Sequence, residues 1–264
     1  GALMPLITGE FDLSLGYMVG FISMLGAVLA EHHFNSLTII TVMILSGIFF
    51  GLINGILTVF FKISSFIATL GTGIVLSGLT LGLSGGEVKF EGIPKFLLTI
   101  GQEYFLGIGI TVWLLGILAI ILFYVLEHTP LGRYLYAIGG QEKVAFLAGI
   151  KTGSIKILAF AVAGFFVSMG AIFQLGQAGA ANPSFGPELL LPAYAGVFLG
   201  VTTFRPGYYN VIGSIIAVLL LAVGFNGLSL LGAPFWVQPI FNGTVLLIAI
   251  LSARSEARKV KVDV

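Results

Sequence analysis

The stretch LTIITVMILSGIFFGLINGILTVFF, residues 37–61, runs for 25 residues without one charged side chain. An α-helix needs about 20 apolar residues to cross the hydrocarbon layer of a membrane, whereas a membrane-spanning strand needs only about ten. The stretch also lacks the strict alternation of apolar and polar residues that marks a half-buried strand. It therefore predicts a transmembrane helix.

The rest of the chain has the same character. Of its 264 residues, 58% are hydrophobic and only 9% are charged, whereas soluble domains carry roughly 25% charged residues. So little charge cannot cover a water-facing surface, and we predict an all-α, polytopic transmembrane helical bundle that forms a single domain over residues 1–264. Seven further apolar stretches bring the predicted spans to eight: 13–30, 66–84, 106–126, 157–176, 188–203, 208–230 and 235–253.

Lys and Arg are divided unequally between the two sets of alternating connections. One set holds ten of the twelve, and the other holds only Lys89 and Lys95. Because cytoplasmic loops carry the excess of positive charge, segment 129–156 and the C-terminus are predicted in the cytoplasm. Segments 85–105 and 182–187 are then predicted outside. The ten are Lys62, Arg133, Lys143, Lys151, Lys156, Arg205, Arg254, Arg258, Lys259 and Lys261.

Glycine recurs at intervals of four residues on several predicted helices. Small residues at this spacing let helix backbones approach closely in lipid, where packing rather than the hydrophobic effect holds helices together. We expect these positions to lie at helix–helix contacts. They are Gly47, Gly51 and Gly55, then Gly78 and Gly82, then Gly196 and Gly200.

Several chemistries have no candidate residues in this sequence. The absence of cysteine excludes disulfides, thiolate catalysis and Cys-ligated metals. His32 and His33 are adjacent, so they cannot face one metal ion from the same side of a helix. No phosphate-binding loop of the Walker type occurs. We therefore predict no catalytic, metal or cofactor site, and a protein that is not itself an enzyme.

Charged residues fall between the predicted spans or at their ends, and Glu10 and Asp12 beside Ser14 are the nearest to an exception. Proton- and sodium-coupled carriers commonly need a carboxylate in mid-membrane, and the sequence offers no candidate. The polar side chains within the spans are neutral, which suits hydrogen bonds to a polyol or, equally, to a neighbouring helix. They are Asn54, Thr69, Thr72, Gln174, Asn226 and Asn242.

Four segments stand out by their order and spacing: FDLSLG (11–16), FIATLGT (66–72), GRYLYAIGG (132–140) and FNGLSLLGAPFW (225–236). They resemble the permease subunits of ribose-type sugar ABC importers, along essentially the whole chain. The resemblance implies the large type of ABC import permease fold, with about ten spans, of which this chain would hold about eight. The chain begins inside an apolar stretch and without an initiator Met, so we expect it to lack N-terminal spans.

The resemblance also implies a function and partners. Such a permease translocates a monosaccharide or similar polar molecule across the bacterial inner membrane as a multi-pass protein. Cytoplasmic ATP-binding subunits drive it, and a periplasmic or lipid-anchored sugar-binding protein delivers the sugar. A second permease copy, identical or related, and membrane lipid surround it, and no nucleic acid is involved. The alternatives are an ABC permease for branched-chain amino acids, a stand-alone carrier or channel, and a membrane-embedded enzyme.

By the same resemblance, segment 129–156 is the coupling loop on which an ATPase subunit docks, the alternative being a merely solvated loop. Within it, 141–148 is predicted as a short helix that Gly149 ends. The family's acidic-Ala-Ala sequence reads here as Glu142-Lys143-Val144-Ala145. The expected coupling residues are Arg133, Glu142, Ala145 and Gly149; the expected pathway residues are Asn54, Phe66, Thr69, Thr72 and Asn226; and the expected motif turn holds Asp12, Ser14 and Gly16.

Overall fold

The computed structural model describes residues 1–234 and 236–262, the side chains of 253–262 excepted. Phe235 of the FNGLSLLGAPFW segment therefore lies outside the described residues. The same holds for the side chains of the four basic tail residues, Arg254, Arg258, Lys259 and Lys261. The chain forms two compact units that divide after Glu188, and each has its own internal packing.

The first unit contains helices and one short antiparallel hairpin, whose two-residue strands pair Tyr104 with Gly109 and Phe105 with Ile108. The elements in chain order are α1 (Leu3–Ile7), α2 (Leu15–Glu31), α3 (Ser36–Val59), α4 (Ser65–Ser84), α5 (Lys95–Gln102), β1 (Tyr104–Phe105), β2 (Ile108–Gly109), α6 (Ile110–His128), α7 (Pro130–Leu147) and α8 (Thr152–Ala178).

The second unit holds three helices, α9 (Leu190–Gly200), α10 (Val211–Leu230) and α11 (Val237–Val262), and a 3₁₀ turn, Gly186–Leu189, leads into the first of them. Asn210 caps α10, because its Oδ1 accepts a hydrogen bond from the Gly213 amide at 2.6 Å. A Cβ at Gly196 would meet the Val218 side chain, and one at Gly200 would meet the backbone of Ser214. The predicted contacts at these two glycines are confirmed.

Five helices of the described chain are long and apolar enough to cross a membrane: α3, α4, α6, α8 and α10. Helix α2 and the Val237–Ser252 part of α11 are shorter apolar helices. The predicted all-α, polytopic membrane fold is thus confirmed. Helix α6 begins at Ile110 rather than at 106, because the hairpin occupies the residues before it.

The predicted span 188–203 is wrong in its extent. Helix α9 has 11 residues, which at 1.5 Å per residue reach only about 16 Å. Pro192 explains where it begins, since a residue without an N–H is tolerated only in the first turn of a helix. The helix therefore cannot continue back through the 3₁₀ turn as one long span.

Helices α3 and α8 pack closely because glycine lines their contact. A Cβ at Gly47 would collide with the Gly164 carbonyl, one at Gly51 with the Phe160 carbonyl, and one at Gly55 with Ile157. The predicted contact role of this stripe is confirmed. The other predicted stripe, Gly78 and Gly82, lies on α4. A Cβ at either position would meet no atom within 4 Å in the described chain, so a helix contact at these two glycines stays a prediction.

Segment 129–156 is more helical than predicted. Helix α7 begins with Pro130 at its first position and bends at Gln141, whose backbone leaves the helical region (φ −152°, ψ 98°). The sequence predicted only the part after this bend. Glycines explain how the first part packs: Gly132 lies against the Leu126 carbonyl and Gly139 against the Ile7 carbonyl, where a side chain would not fit.

Candidate functional site

The FDLSLG segment forms a buried polar turn between α1 and α2. The side chains of Asp12 and Ser14 are fully buried. Asp12 Oδ1 accepts hydrogen bonds from the Ser14 amide at 3.0 Å and from Ser14 Oγ at 2.6 Å, so the short side chain folds back on its own backbone. Helix α2 begins directly afterwards, and Gly16 is buried there with its carbonyl against Gly186.

Asn54 of α3 completes this cluster. Its Nδ2 donates a hydrogen bond to Ser14 Oγ at 2.8 Å and lies 3.4 Å from Asp12 Oδ1. Its Oδ1 is buried and has no hydrogen-bond partner among the described residues. Asn54 thus joins α3 to the turn through its amino group and keeps one acceptor unused, at a cost of roughly 1–3 kcal/mol for a buried group.

The same turn is tied to α4. The Phe11 amide donates to Ser65 Oγ at 3.1 Å, and the Leu13 amide donates to Thr69 Oγ1 at 2.9 Å. The Thr69 hydroxyl itself donates to the Ser65 carbonyl at 2.7 Å. Thr69 is therefore both an acceptor for the turn and a donor to its own helix.

The remaining expected pathway residues differ in their surroundings. Phe66 of α4 is 52% exposed. Thr72 is half-buried and donates to the Ala68 carbonyl at 3.0 Å. Asn226 is exposed on α10 of the second unit. The structure therefore brings Asn54 and Thr69 together around the turn that holds Asp12 and Ser14.

The part of α7 after the bend forms a short helix that is exposed except at Ala145. Ala145 is buried, whereas Val144, Phe146 and Leu147 are 56%, 66% and 83% exposed. Gly149 follows with φ +85°, a left-handed conformation that residues with a Cβ adopt at a cost. Its amide donates to the Phe146 carbonyl at 3.0 Å, and the Ile150 amide donates to the Ala145 carbonyl at 3.1 Å. The predicted end of this helix at Gly149 is confirmed.

The other two expected coupling residues lie on either side of the bend. Arg133 is exposed on the part of α7 before it. Glu142 directly follows the bend, and its carboxylate lies 2.7 Å from Lys156 Nζ. The same ammonium lies 2.7 Å from Glu10 Oε1. A cavity of about 460 Å³ opens beside these three charges, and Lys62 and Ser65 contribute to its wall.

The double ion pair at Lys156 was not predicted from the sequence. The signal was present, since Glu10 and Lys156 each lie just before a predicted span, 13–30 and 157–176. Their contact joins residues 146 positions apart, which hydropathy does not reveal. Among the described residues, no group of three or more His, Asp or Glu side chains is placed to hold a metal ion.

Lys89, in the loop after α4, links the C-terminal ends of α2 and α8. The Lys89 amide donates to the Ala181 carbonyl at 3.0 Å, and the Ala181 amide donates to the Lys89 carbonyl at 2.8 Å. Lys89 Nζ lies 3.2 Å from a carboxylate oxygen of Glu31. Segments 85–105 and 182–187, which the charge distribution assigned to one side of the membrane, therefore lie near one another.

Comparison with known proteins identifies the family of this chain. The family described as branched-chain amino acid transport system / permease component matches residues 1–250. The ribose import permease protein of Bacillus subtilis (strain 168) is 34% identical over 258 residues, covering 97% of this chain and 80% of the relative. That of Haemophilus influenzae is 31% identical over 255 residues, covering 96% and 79%.

A third relative is named for a different cargo. The autoinducer 2 import system permease protein of Photorhabdus laumondii is 32% identical over 251 residues, covering 95% of this chain and 75% of the relative. No solved structure matches. The family match over nearly the whole chain and the bundle of apolar helices agree, and the chain belongs to the permease components of the branched-chain amino acid transport system family, which also takes in ribose-type import permeases.

Proposed function

We propose that this chain is the membrane-spanning permease of an importer for a ribose-like sugar, driven by ATP hydrolysis on separate subunits that dock on α7. The observation that carries the proposal is the short helix after Gln141. It presents three neighbouring apolar side chains to the outside, Val144, Phe146 and Leu147, on a segment that charge distribution assigns to the cytoplasm. An exposed apolar ridge beside charged residues is typical of a docking surface.

The proposed partners follow from this role. A binding protein delivers the sugar at the end of the molecule that carries segments 85–105 and 182–187, and a second permease copy completes the translocation path. The C-terminus is cytoplasmic. The chain itself performs no hydrolysis, because the energy enters through the docked subunits.

Docking can be tested by cross-linking in the complete assembly. A cysteine in place of Leu147, on the ridge, is expected to cross-link to the ATP-binding subunit. A cysteine in place of Leu106 is the control. This residue is similarly exposed, at 78%, but it lies in the hairpin that precedes α6, at the opposite end of that helix from α7. Cross-links from position 106 and none from position 147 would refute the proposed docking surface.

We further propose that the sugar path is lined by Asn54, Phe66, Thr69, Thr72 and Asn226. A sugar that leaves water needs replacement hydrogen bonds, since each unpaired buried hydroxyl costs roughly 1–3 kcal/mol. The unused Oδ1 of Asn54 supplies an acceptor, and the exposed ring of Phe66 offers an apolar face. Neutral groups of this kind fit a polyol better than the charged ends of an amino acid, which favours a sugar over the branched-chain amino acid of the family description.

We expect Thr69→Val to lower ribose uptake while the assembly still forms. The substitution keeps the shape of the side chain, removes the acceptor of the Leu13 amide and so loosens the turn beside Asn54. Uptake should fall about fivefold, the value of one net hydrogen bond of about 1 kcal/mol. The measurement is ATP-dependent uptake of ribose, and in parallel leucine, into liposomes that contain the complete assembly.

Thr80→Val is the matched control. Thr80 is also buried on α4, and its hydroxyl donates within the helix, to the Leu76 carbonyl at 2.7 Å. It lies far along the helix from the turn. Asn54→Leu and Asn226→Leu extend the series. Wild-type ribose uptake in all three pathway variants, each correctly assembled, would contradict the proposed sugar path.

A further inference from the structure

Lys156 is a nearly buried cation with two carboxylate partners. Its side chain is 10% exposed, and it forms ion pairs of 2.7 Å with Glu10 and with Glu142. The two carboxylates are not equivalent, since the side chain of Glu10 is 17% exposed and that of Glu142 is 50% exposed. One partner therefore belongs to the interior and the other to the surface.

This asymmetry determines which ion pair can open. If Glu142 withdraws, water hydrates its half-exposed carboxylate, and the pair of Lys156 with Glu10 keeps the buried charges neutral. If Glu10 withdrew, a carboxylate with little access to water would be left without its cation, which is costly. The adjoining cavity of about 460 Å³ gives Glu142 and water the space for this movement.

The two partners also belong to different parts of the site. Glu142 is the first residue after the bend of α7, at the start of the short helix that bears the exposed apolar ridge. Glu10 lies two residues before Asp12, in the segment whose backbone donates hydrogen bonds to Ser65 and Thr69. Lys156 itself is held on α8, which glycine contacts pack against α3.

We propose that Lys156 is a positioning residue. It links the docking helix, which is the part of α7 after Gln141, to the buried turn at Asp12 and Ser14, so that movement of α7 reaches Asn54 and Thr69. The proposal rests on the function proposed above. In the resting arrangement Lys156 holds Glu142 and Glu10 together. When a docked subunit pulls α7 away, the pair with Glu142 opens, and the turn is released from the docking helix.

The test is the amount of ribose taken up per ATP hydrolysed in liposomes that contain the complete assembly. Glu142→Gln breaks the outer ion pair and leaves the pair of Lys156 with Glu10 intact, so folding is preserved. We expect ribose uptake per ATP to fall roughly fivefold, while position 147 still cross-links to the ATP-binding subunit. Lys156→Met should lower the ratio at least as far, and Lys156→Arg should restore most of it.

Lys95→Met is the control for the loss of one positive charge, because Lys95 is exposed in segment 85–105, and its ratio should equal that of the wild type. An unchanged ratio in Glu142→Gln would overturn the link, and so would a loss of cross-linking from position 147, which would make Glu142 a docking residue only. Should Lys156→Met fail to assemble, Glu142→Gln alone decides. Failure of the proposed function would be distinguishable, since then the wild type itself would neither cross-link nor take up ribose.

Discussion

Replacing Gly51 with leucine is expected to abolish the folded protein. A Cβ at this position would already collide with the Phe160 carbonyl of α8, and a backbone carbonyl cannot rotate away as a side chain can. Helices α3 and α8 would have to separate along the whole stripe, which would also break the hydrogen bond of 3.0 Å from Ser168 Oγ to the Met43 carbonyl. Overpacking of this kind typically costs about 1–3 kcal/mol, and here the obstacle is the backbone of the neighbouring helix.

The measurement is the yield of monodisperse protein in detergent and its thermal stability. Gly116→Leu is the matched control, because Gly116 lies in a membrane-spanning helix, α6, and a Cβ there would meet no atom of another described element within 4 Å. This variant should match the wild type in both quantities. If Gly51→Leu also did so, the contact of α3 with α8 through glycine would be disproved.

Replacing Gly149 with valine is expected to uncouple transport while the protein still inserts into the membrane. Gly149 has φ +85°, where a β-branched side chain clashes with the backbone. The strain costs about 1–2 kcal/mol. It shifts the equilibrium between the ordered and the disordered helix end roughly tenfold toward disorder. Loss of the turn would remove the hydrogen bonds that fix Ala145 and Phe146 and would displace the docking ridge.

Gly149→Asn separates conformation from side-chain size. Asparagine tolerates left-handed backbone far better than valine, so Gly149→Asn should retain most of the ribose uptake that Gly149→Val loses. Both variants should insert and be purified normally, because position 149 is exposed and lies outside the predicted spans. Equal uptake by Gly149→Val and the wild type would show that the turn geometry has no part in coupling.

Much of the helical framework follows from hydropathy alone. The prediction 66–84 for α4 differs from the observed Ser65–Ser84 by one residue at its start, because a long uncharged stretch in lipid has no alternative to helix. Hydropathy is less informative where a helix is polar or short. The first half of α7 was therefore missed, and α9 was predicted too long because hydropathy does not reveal the 3₁₀ turn that precedes it.

The site shows the same limit. Asp12, Ser14, Asn54 and Thr69 were each recognisable from the sequence, as motif residues or as polar groups within apolar stretches. Their mutual hydrogen bonds were not, because they join segments some 40 to 56 positions apart. Lys156 was counted as a loop charge, since only the three-dimensional contact with Glu10 reveals that it is nearly buried.

Helices α6 and α8 meet very different surroundings. In an apolar stretch of 18 residues of α6, only 11% is buried within the described chain, whereas the figure for α8 is 56%. The buried residues of α6 are Leu122 and Leu126. The side chains of α8 must fit the glycines of α3, whereas those of α6 meet few neighbours in the described chain. We therefore expect α6 to be constrained mainly in its length and total hydropathy, and α8 in the volume of individual side chains. Among relatives, we expect Leu, Ile, Val and Phe to replace one another on α6 more often than on α8, where a change in volume calls for a matching change in α3.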